Sequence, residues 1–394
     1  MPNPVLDAVE ATAEEISAQG SANESRGKLS DAAAKLLRDT GAIRMLQPKT
    51  HGGLEAHPRE FAETVMRIAG LDGSTGWVAG IVGVHPWEMA MADPKVQQEI
   101  WGEDNDTWIA SPYAPMGQLR PVDGGYIFNG RWQFSSGTDH CDWIFLGGFL
   151  TDAEGEQLQP PQSVHVILPR ADYEIVEDSW DVVGLCGTGS KDIVVADAFV
   201  PDYRVIPFSK VIDGQAPEEA GLENPTYHVP FSCVFPLGIT SAVIGIAEGA
   251  LAHHMAYQKS RVQITGTKVR DDPYVLSAIS EAAAEIHAAR SALLENACRN
   301  YDTVAAGRAV SFAERAVGRR TQVHAAWRAV SAVDEIVARS GGNAMRMDNP
   351  LQRFWRDAHM GLAHAIHVPG SVFHASALTE LGIDPPPGPM RSMI

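Results

Sequence analysis

Apolar residues recur at helical spacing through the first hundred positions. Leu29, Ala33, Leu36 and Leu37 fall on one stripe that runs out near Thr40-Gly41. Phe61, Val65, Ile68 and Ala69 form a second stripe. Gly73-Ser74-Thr75 opens a further helix that runs through Trp77 to His85-Pro86-Trp87. Asp93-Pro94 begins a short one with Val96, Ile100 and Trp101 apolar. From about Trp108 the pattern changes. Tyr126-Ile127-Phe128 follows Asp123-Gly124-Gly125, and Trp132-Gln133-Phe134 follows Asn129-Gly130. Then come Trp143 to Leu146, Val164 to Leu168, Ile193 to Val195 and Ala198 to Pro201. Short β-rich runs between turn residues predict an antiparallel sheet or barrel that ends near Pro207. Residues 208–229 hold Gly, Pro and Glu without strong periodicity and read as a connecting loop. Long helices return from Phe235. Ala282, Ile286, Ala289, Leu293 and Ala297 mark one stripe; Ala329, Val330, Val333, Ile336 and Val337 mark another. A proline-rich tail, Asp384-Pro385-Pro386-Pro387, closes the chain, and no internal repeat is visible.

This order predicts an α+β, multi-domain fold: a helical domain over 1–107, a β domain over 108–207 and a helical bundle over 208–394. Composition narrows the class. The 394 residues are 45% hydrophobic and 20% charged, as in a globular protein with a large core. No apolar run looks long enough to span a membrane, and MPNPVLDAVEATAEEI lacks the basic-then-apolar order of a signal peptide. Net charge is −18, with 31 basic against 49 acidic residues, which argues against nucleic acid as a partner. Cys141, Cys186, Cys233 and Cys298 are scattered without a CxxC pair, so neither a metal nor a disulfide is expected. A reducing cytoplasm fits that usage.

Candidate chemistry begins with histidine, the side chain suited to proton transfer near neutral pH. Arg356-Asp357 is followed by His359, His364 and His367 on what reads as one short helical run. Steps of five and three residues rotate around a helix, so the three cannot all point the same way. His85, between Trp77 and Trp87, reads equally as a packed core residue. Ser135-Ser136-Gly137 is a tight turn or a pair of presented hydroxyls. Gly187-Thr188-Gly189-Ser190 permits close backbone approach and offers hydroxyls, but lacks the strand–GxGxxG–helix setting of a dinucleotide site. Arg261 suits a phosphate or a surface salt bridge, and Ser340-Gly341-Gly342-Asn343 suits a helix C-cap or a turn beside a ligand.

Five stretches carry a family resemblance: GSTGWVAGIVGVH (73–85), WGEDNDTWIASPYAPMG (101–117), GRWQFSSGTDHCDW (130–143), VVGLCGTGSKDIVV (182–195) and QRFWRDAHMGLAHA (352–365). In this order they resemble the acyl-CoA dehydrogenase fold and, within it, the oxygenase components of two-component flavin-dependent monooxygenases. The nearest group is the bacterial 3-hydroxy-9,10-seco-androstatrienedione hydroxylases of steroid ring degradation. The resemblance runs from Leu46-Gln47-Pro48 to Leu381-Gly382.

It implies reduced FMN or FAD, bound as a diffusible cosubstrate and supplied by a separate NAD(P)H-dependent flavin reductase. It implies Trp132 as an aromatic wall, Ser136 or Ser135 beside the isoalloxazine, and Thr188 and Ser190 near its edge. Arg261 would meet the phosphates from a neighbouring subunit of a homotetramer, with Gly341 and Gly342 near the cofactor tail. His85, Ser111 and His364 would be catalytic, with no role assigned to His140, His359 or His367. The implied reaction is ortho-hydroxylation of a phenolic substrate to a catechol by O2, through a flavin C4a-hydroperoxide. A phenol has a pKa of about 10 and imidazole about 6.5, so full ground-state proton transfer costs roughly 4.8 kcal/mol. The imidazole would therefore take the proton as the C–O bond forms.

The main rival is an acyl-CoA dehydrogenase, which needs a carboxylate base. Where such an enzyme would carry its glutamate stands Ala365, with no Glu before Glu380; Glu248 is the only substitute that stands out. A flavin-binding protein without turnover is a second rival. Hydroxylation of another aromatic, a polyketide or a sulfur or nitrogen heterocycle is the alternative within the family.

Overall fold

The computed structural model describes residues 3–264, 266–386, 391 and 394. Helices fill the first quarter: α1 (Pro4–Ala11), α2 (Ala13–Ala18), α3 (Gly20–Arg26), α4 (Asp31–Thr40), α5 (Pro58–Leu71), α6 (Gly73–Val82), α7 (His85–Met89) and α8 (Pro94–Trp101). Local signals set their ends. Ser30 caps α4 by accepting from the Ala33 N–H, and Gly41 stops it in the left-handed region. Asp72 caps α6, and Asp93 caps α8 ahead of Pro94. The helix expected from Gly73 to Trp87 is two. Pro86 has no N–H to continue the α6 ladder, so the chain turns at Gly83-Val84 and restarts as α7. Every residue of α6 is buried.

The middle of the chain forms one sheet from β1 (Ile109–Ala110), β2 (Gly117–Val122), β3 (Gly125–Ser135), β4 (Trp143–Leu150), β5 (Ser163–Pro169), β6 (Glu174–Val176), β7 (Lys191–Pro201) and β8 (Val205–Pro207). Its order is β6-β7-β3-β2-β4-β5-β8, with β1 on β4. The expectation of an antiparallel sheet or barrel needs correction. β4 pairs parallel with both β1 and β2, so the sheet is mixed, and among the described residues no pairing closes it. The cause is the short connection from β3 to β4. It steps past β2 rather than turning back as a hairpin, and it carries the Ser135-Ser136-Gly137 turn to that end of the sheet.

Residues 208–229 are not a bare loop. They hold α9 (Phe208–Ile212), α10 (Gln215–Glu219) and α11 (Pro225–His228), single turns too short to show a stripe. Docking stabilises them: the Tyr227 hydroxyl donates to the Leu46 carbonyl and Thr226 to that of Ala56. Then follow α12 (Phe231–Ser260), α13 (Pro273–Ala305), α14 (Phe312–Ala338), α15 (Pro350–Leu362) and α16 (Pro369–Glu380). The expected stripe on α13 is buried throughout. A Ser311–Glu314 capping box opens α14. One sequence expectation fails here. α12, at 30 residues, is long and apolar enough to cross a membrane, but 89% of its apolar window is buried inside the protein. It is the central core helix, packed against α5, α6, α14 and α15. Of the proline tail, Pro387 lies outside the described residues.

Candidate functional site

His85 opens α7 and is fully buried. Its Nδ1 lies 2.5 Å from the Ile109 carbonyl oxygen, which can only accept, so Nδ1 carries the proton. Nε2 is then a lone pair, and the Ser111 hydroxyl donates to it at 2.6 Å. Burial pushes this imidazole down to about 4, so the ring is neutral at physiological pH. Sequence order hides the pairing, because α7 and the segment after β1 meet only when β1 lies on β4.

Aromatic rings surround this pair. Tyr113 meets His85 edge-on at 5.5 Å between centroids, and Phe145 lies at 6.4 Å. Phe231 and Phe235 stack at 5.0 Å, and each packs against Tyr113. On the far side of Tyr113 is a second buried pair that sequence reasoning missed. His165 Nδ1 lies 2.5 Å from Glu88 Oε1, and the His165 ring sits between Tyr113 at 4.5 Å and Phe208 at 4.6 Å. Burial, then the nearby Glu88 carboxylate, raises the Tyr113 hydroxyl well above its ordinary value.

His364, His359 and His367 do not share one helix. α15 ends at Leu362, and His364 is extended, with φ −60° and ψ 140°, before a 3-10 turn at Ala365–His367. The break gives each ring its own surroundings. His359 is on the surface, 2.8 Å from Asp334. His367 is buried, with Nδ1 on the Gly361 carbonyl and Nε2 near Thr240. His364 is half-buried and caps the turn: its Nδ1 accepts from the Ile366 N–H at 3.2 Å. Its neutral ring therefore carries the proton on Nε2, the opposite tautomer to His85. Desolvation, helped by the Arg319 guanidinium, lowers it to about 4.

Trp77, read from sequence only as aromatic setting, joins His364 to the serine turn. Its ring lies 5.9 Å from that of His364, against Gly361, where a Cβ would come within 3.0 Å of the indole. Its Nε1–H donates to Ser136 Oγ at 3.1 Å. Ser136 Oγ is 2.7 Å from Ser190 Oγ, and Ser190 Oγ is 2.7 Å from Thr188 Oγ1. The Thr188 hydroxyl donates to the Leu185 carbonyl at 2.8 Å. The Gly137 N–H binds the Thr188 carbonyl, stitching the two expected flavin loops together. α15 holds the second loop from behind. Arg356 donates to the Val183 carbonyl, and the Leu185 N–H donates to Asp357 Oδ1 at 2.6 Å. Leu185 has φ +53°, a left-handed value that those contacts impose on a non-glycine residue. Burial, with Asp72 nearby, pushes Asp357 up to about 7.

Ser135 is fully buried, and among the described residues its hydroxyl has no hydrogen-bond partner. Trp132 is not an open wall. It is fully buried against Phe128, and its Nε1–H donates to the Ala114 and Gly147 carbonyls. The pairing of β3 with β7 slips between Trp132 and Ser135, and at that bulge Phe134 takes φ +67°. Phe134 is thereby turned outward and left 58% exposed, edge-on to Trp180. A bulge has no signature in residue types, so the sequence named Trp132, the ring that the fold buries.

Arg261, at the end of α12, is brought to Gly341, where a Cβ would collide with its guanidinium; Gly342 follows at the start of an exposed turn. Arg261 binds the Gln258 amide oxygen and the Arg339 carbonyl. His140 meets the Leu29 carbonyl at 3.0 Å. Glu248 is tied to Arg290 at 3.1 Å, a structural pair rather than a base in waiting.

Comparison with known proteins agrees with this layout. Residues 237–369 match the family model described as acyl-CoA dehydrogenase, C-terminal domain. A pigment production hydroxylase of Rhodococcus erythropolis is 61% identical over 99% of both chains. The flavin-dependent monooxygenase oxygenase subunit HsaA of Mycobacterium tuberculosis is 41% identical, over 97% of this chain and 96% of its own. The crystal structure of 3-HSA hydroxylase from Rhodococcus sp. RHA1 superposes with a TM-score of 0.92 at 38% identity, covering 98% of each chain.

Proposed function

Because this chain belongs to the flavin-dependent monooxygenase oxygenase components of acyl-CoA dehydrogenase fold, we propose that it hydroxylates a phenol at the ortho position to give a catechol. The observation that carries the reading is the buried pair of His85 and Ser111, set beside an aromatic wall. The residues present fit a flavin. The Ser136, Ser190 and Thr188 hydroxyls line one edge, Ser135 holds an unsatisfied buried hydroxyl, and Phe134 offers an exposed aromatic face in place of Trp132. Bound in its reduced form, FMN or FAD supplies the electron pair that activates O2.

The protein's own groups handle the protons. Ser111 spends its hydrogen on His85, so its remaining lone pair accepts the phenol O–H, and the proton passes through Ser111 to Nε2. With His85 near 4 rather than its ordinary value, full ionisation of a phenol at rest would cost roughly 8 kcal/mol. Transfer therefore accompanies C–O bond formation, when the ring oxygen becomes far more acidic. His364, with its hydrogen on Nε2, is the second proton donor in this reading, acting on the substrate's oxygen. Tyr113, Phe145, Phe231 and Phe235 pack ring against ring beside the pair, an apolar wall that keeps water from it.

The favoured substrate is a steroid-derived seco-phenol, the class in the name of the crystallised relative at 38% identity. A second reading, another aromatic, is favoured by the 61% identical relative, which is named for pigment production. The same proposal takes 1–107, 108–207 and 208–394 as domains of a cytoplasmic homotetramer served by a separate NAD(P)H-dependent reductase.

The test supplies the purified chain with enzymatically reduced FMN or FAD, O2 and a panel of phenols, including the seco-steroid phenol, resorcinol and simple alkylphenols. Mass spectrometry of a catechol with stoichiometric O2 uptake supports the reading. Oxygen uptake that returns only hydrogen peroxide with every phenol sinks it.

A further inference from the structure

α7 presents two side chains three residues apart on one face, His85 and Glu88, and both are buried. The segment that continues β1 presents two more, Ser111 and Tyr113, two positions apart. His85 pairs with Ser111. Glu88 pairs with His165 of β5: Oε1 lies 2.5 Å from Nδ1, while Oε2 has no hydrogen-bond partner among the described residues. One short helix therefore sets a buried carboxylate beside the base, at about 5–6 Å between Cβ atoms. A charge that close moves the protonation of an imidazole by roughly 1–3 pH units. Left unbalanced, it would put a proton on His85 Nε2, and the lone pair that receives the phenol's proton would be lost.

The sheet supplies the balance. His165 is buried, and its ring lies between those of Tyr113 and Phe208. Of the two imidazoles it is the one that meets a carboxylate; His85 meets the Ile109 carbonyl and a hydroxyl. Burial lowers His85 most, and the charge of His165 lowers it further. Tyr113, the titratable group between the two rings, is raised by burial and then by Glu88, so it stays a neutral phenol. The other rings on His165, Phe145 of β4, Phe208 of α9 and Phe231 of α12, carry no charge.

We propose that His165 is a positioning residue for proton transfer: paired with Glu88, it carries the positive charge of this cluster in place of His85 and leaves His85 Nε2 free to take the phenol's proton. The proposal rests on the hydroxylation reading above and deepens it. His165 acts from the far side of Tyr113, through its field and through Glu88.

His165→Asn keeps an N–H donor for Glu88 but cannot take a charge, and His165→Gln is a second variant of the same kind. Glu88→Gln combined with His165→Asn removes the carboxylate as well. Catechol formation gives kcat and KM between pH 5 and 8.5 for the parent and these three variants, with reduced flavin and the phenol that the parent converts best. The parent is expected to hold its rate down to about pH 5. In either single variant the acid limb is expected to rise from about 4 to about 6, costing roughly tenfold in kcat at pH 5 with KM little changed. The double variant is expected to return the limb to the parent's position, which no loss of packing would do. Thermal unfolding identifies the folded variants, and either folded single variant decides. A limb that stays at the parent's position in a folded single variant overturns the proposal and leaves hydroxylation standing. So does a raised limb that the folded double variant does not restore. A parent that forms no catechol at any pH overturns both.

Discussion

Two imidazoles with opposite hydrogen placements carry the proton work in the proposed mechanism. A backbone carbonyl fixes the hydrogen of His85 on Nδ1, and a backbone N–H fixes that of His364 on Nε2. Both act as neutral rings, and burial lowers both to about 4. Product formation per reduced flavin is therefore expected to stay level from pH 8 down to about 5 and to fall only toward 4. An ordinary histidine would begin to fail near 6.5. A kcat/KM profile with a limb near 6.5 would contradict this. His364→Ala is expected to keep consuming O2 while releasing hydrogen peroxide instead of catechol, read from the ratio of peroxide to product.

Asp357 titrates in the other sense. Its value is raised, so between about pH 4 and 7 the folded chain holds a proton that the unfolded chain has released. Stability from that proton is present on the acid side and drains away as pH rises through the window. Asp357→Asn keeps an oxygen for the Leu185 N–H and cannot ionise. Its stability advantage over the parent is expected to grow between pH 5 and pH 8, by on the order of 2–3 kcal/mol. Urea midpoints at the two pH values measure it, and an equal difference at both would refute the assignment.

Among the elements, α15 holds the second of the two loops proposed to meet the flavin. Arg356 and Asp357 hold the backbone of Val183 and Leu185, and Gly184 lies so close to the Arg356 carbonyl that a Cβ would collide with it. Gly184→Ala should push the loop away, displace Thr188 and Ser190, and weaken reduced-flavin binding at least tenfold in a folded protein. Flavin titration checks this; unaltered affinity would show that the loop does not frame the cofactor. Element by element, what sequence revealed was what depends on local pattern. The stripe on α13 and the Asp93-Pro94 start appeared because caps and burial leave a periodic trace. Residues 208–229 hid their helices because one turn has no period, and the outward turn of Phe134 hid because a bulge in β3 leaves no trace in residue types. The Glu88–His165 pair hid for another reason: α7 and β5 meet only through the sheet.

Over the whole molecule, the helix–sheet–helix order and its family were legible because five motifs hold their sequence across the full length. Association was not, since it depends on surface geometry. Val262 and Ile264 are exposed just beyond α12, beside Arg261, and apolar side chains so placed gain from burial against another copy. Ile264→Glu is expected to shift the assembly toward smaller species in sedimentation and to weaken flavin binding with it. A variant that keeps both the parental mass and the parental affinity would show that this tip lies outside any subunit contact.

The long apolar helix at the centre has a consequence outside catalysis. Before the bundle closes around it, residues 231–260 are a greasy stretch of the kind that translocation machinery and aggregates both capture. Damage to the packing of α5 or α14 against it should therefore surface first as lost yield and inclusion bodies, well before any change in the turnover of the molecules that do mature.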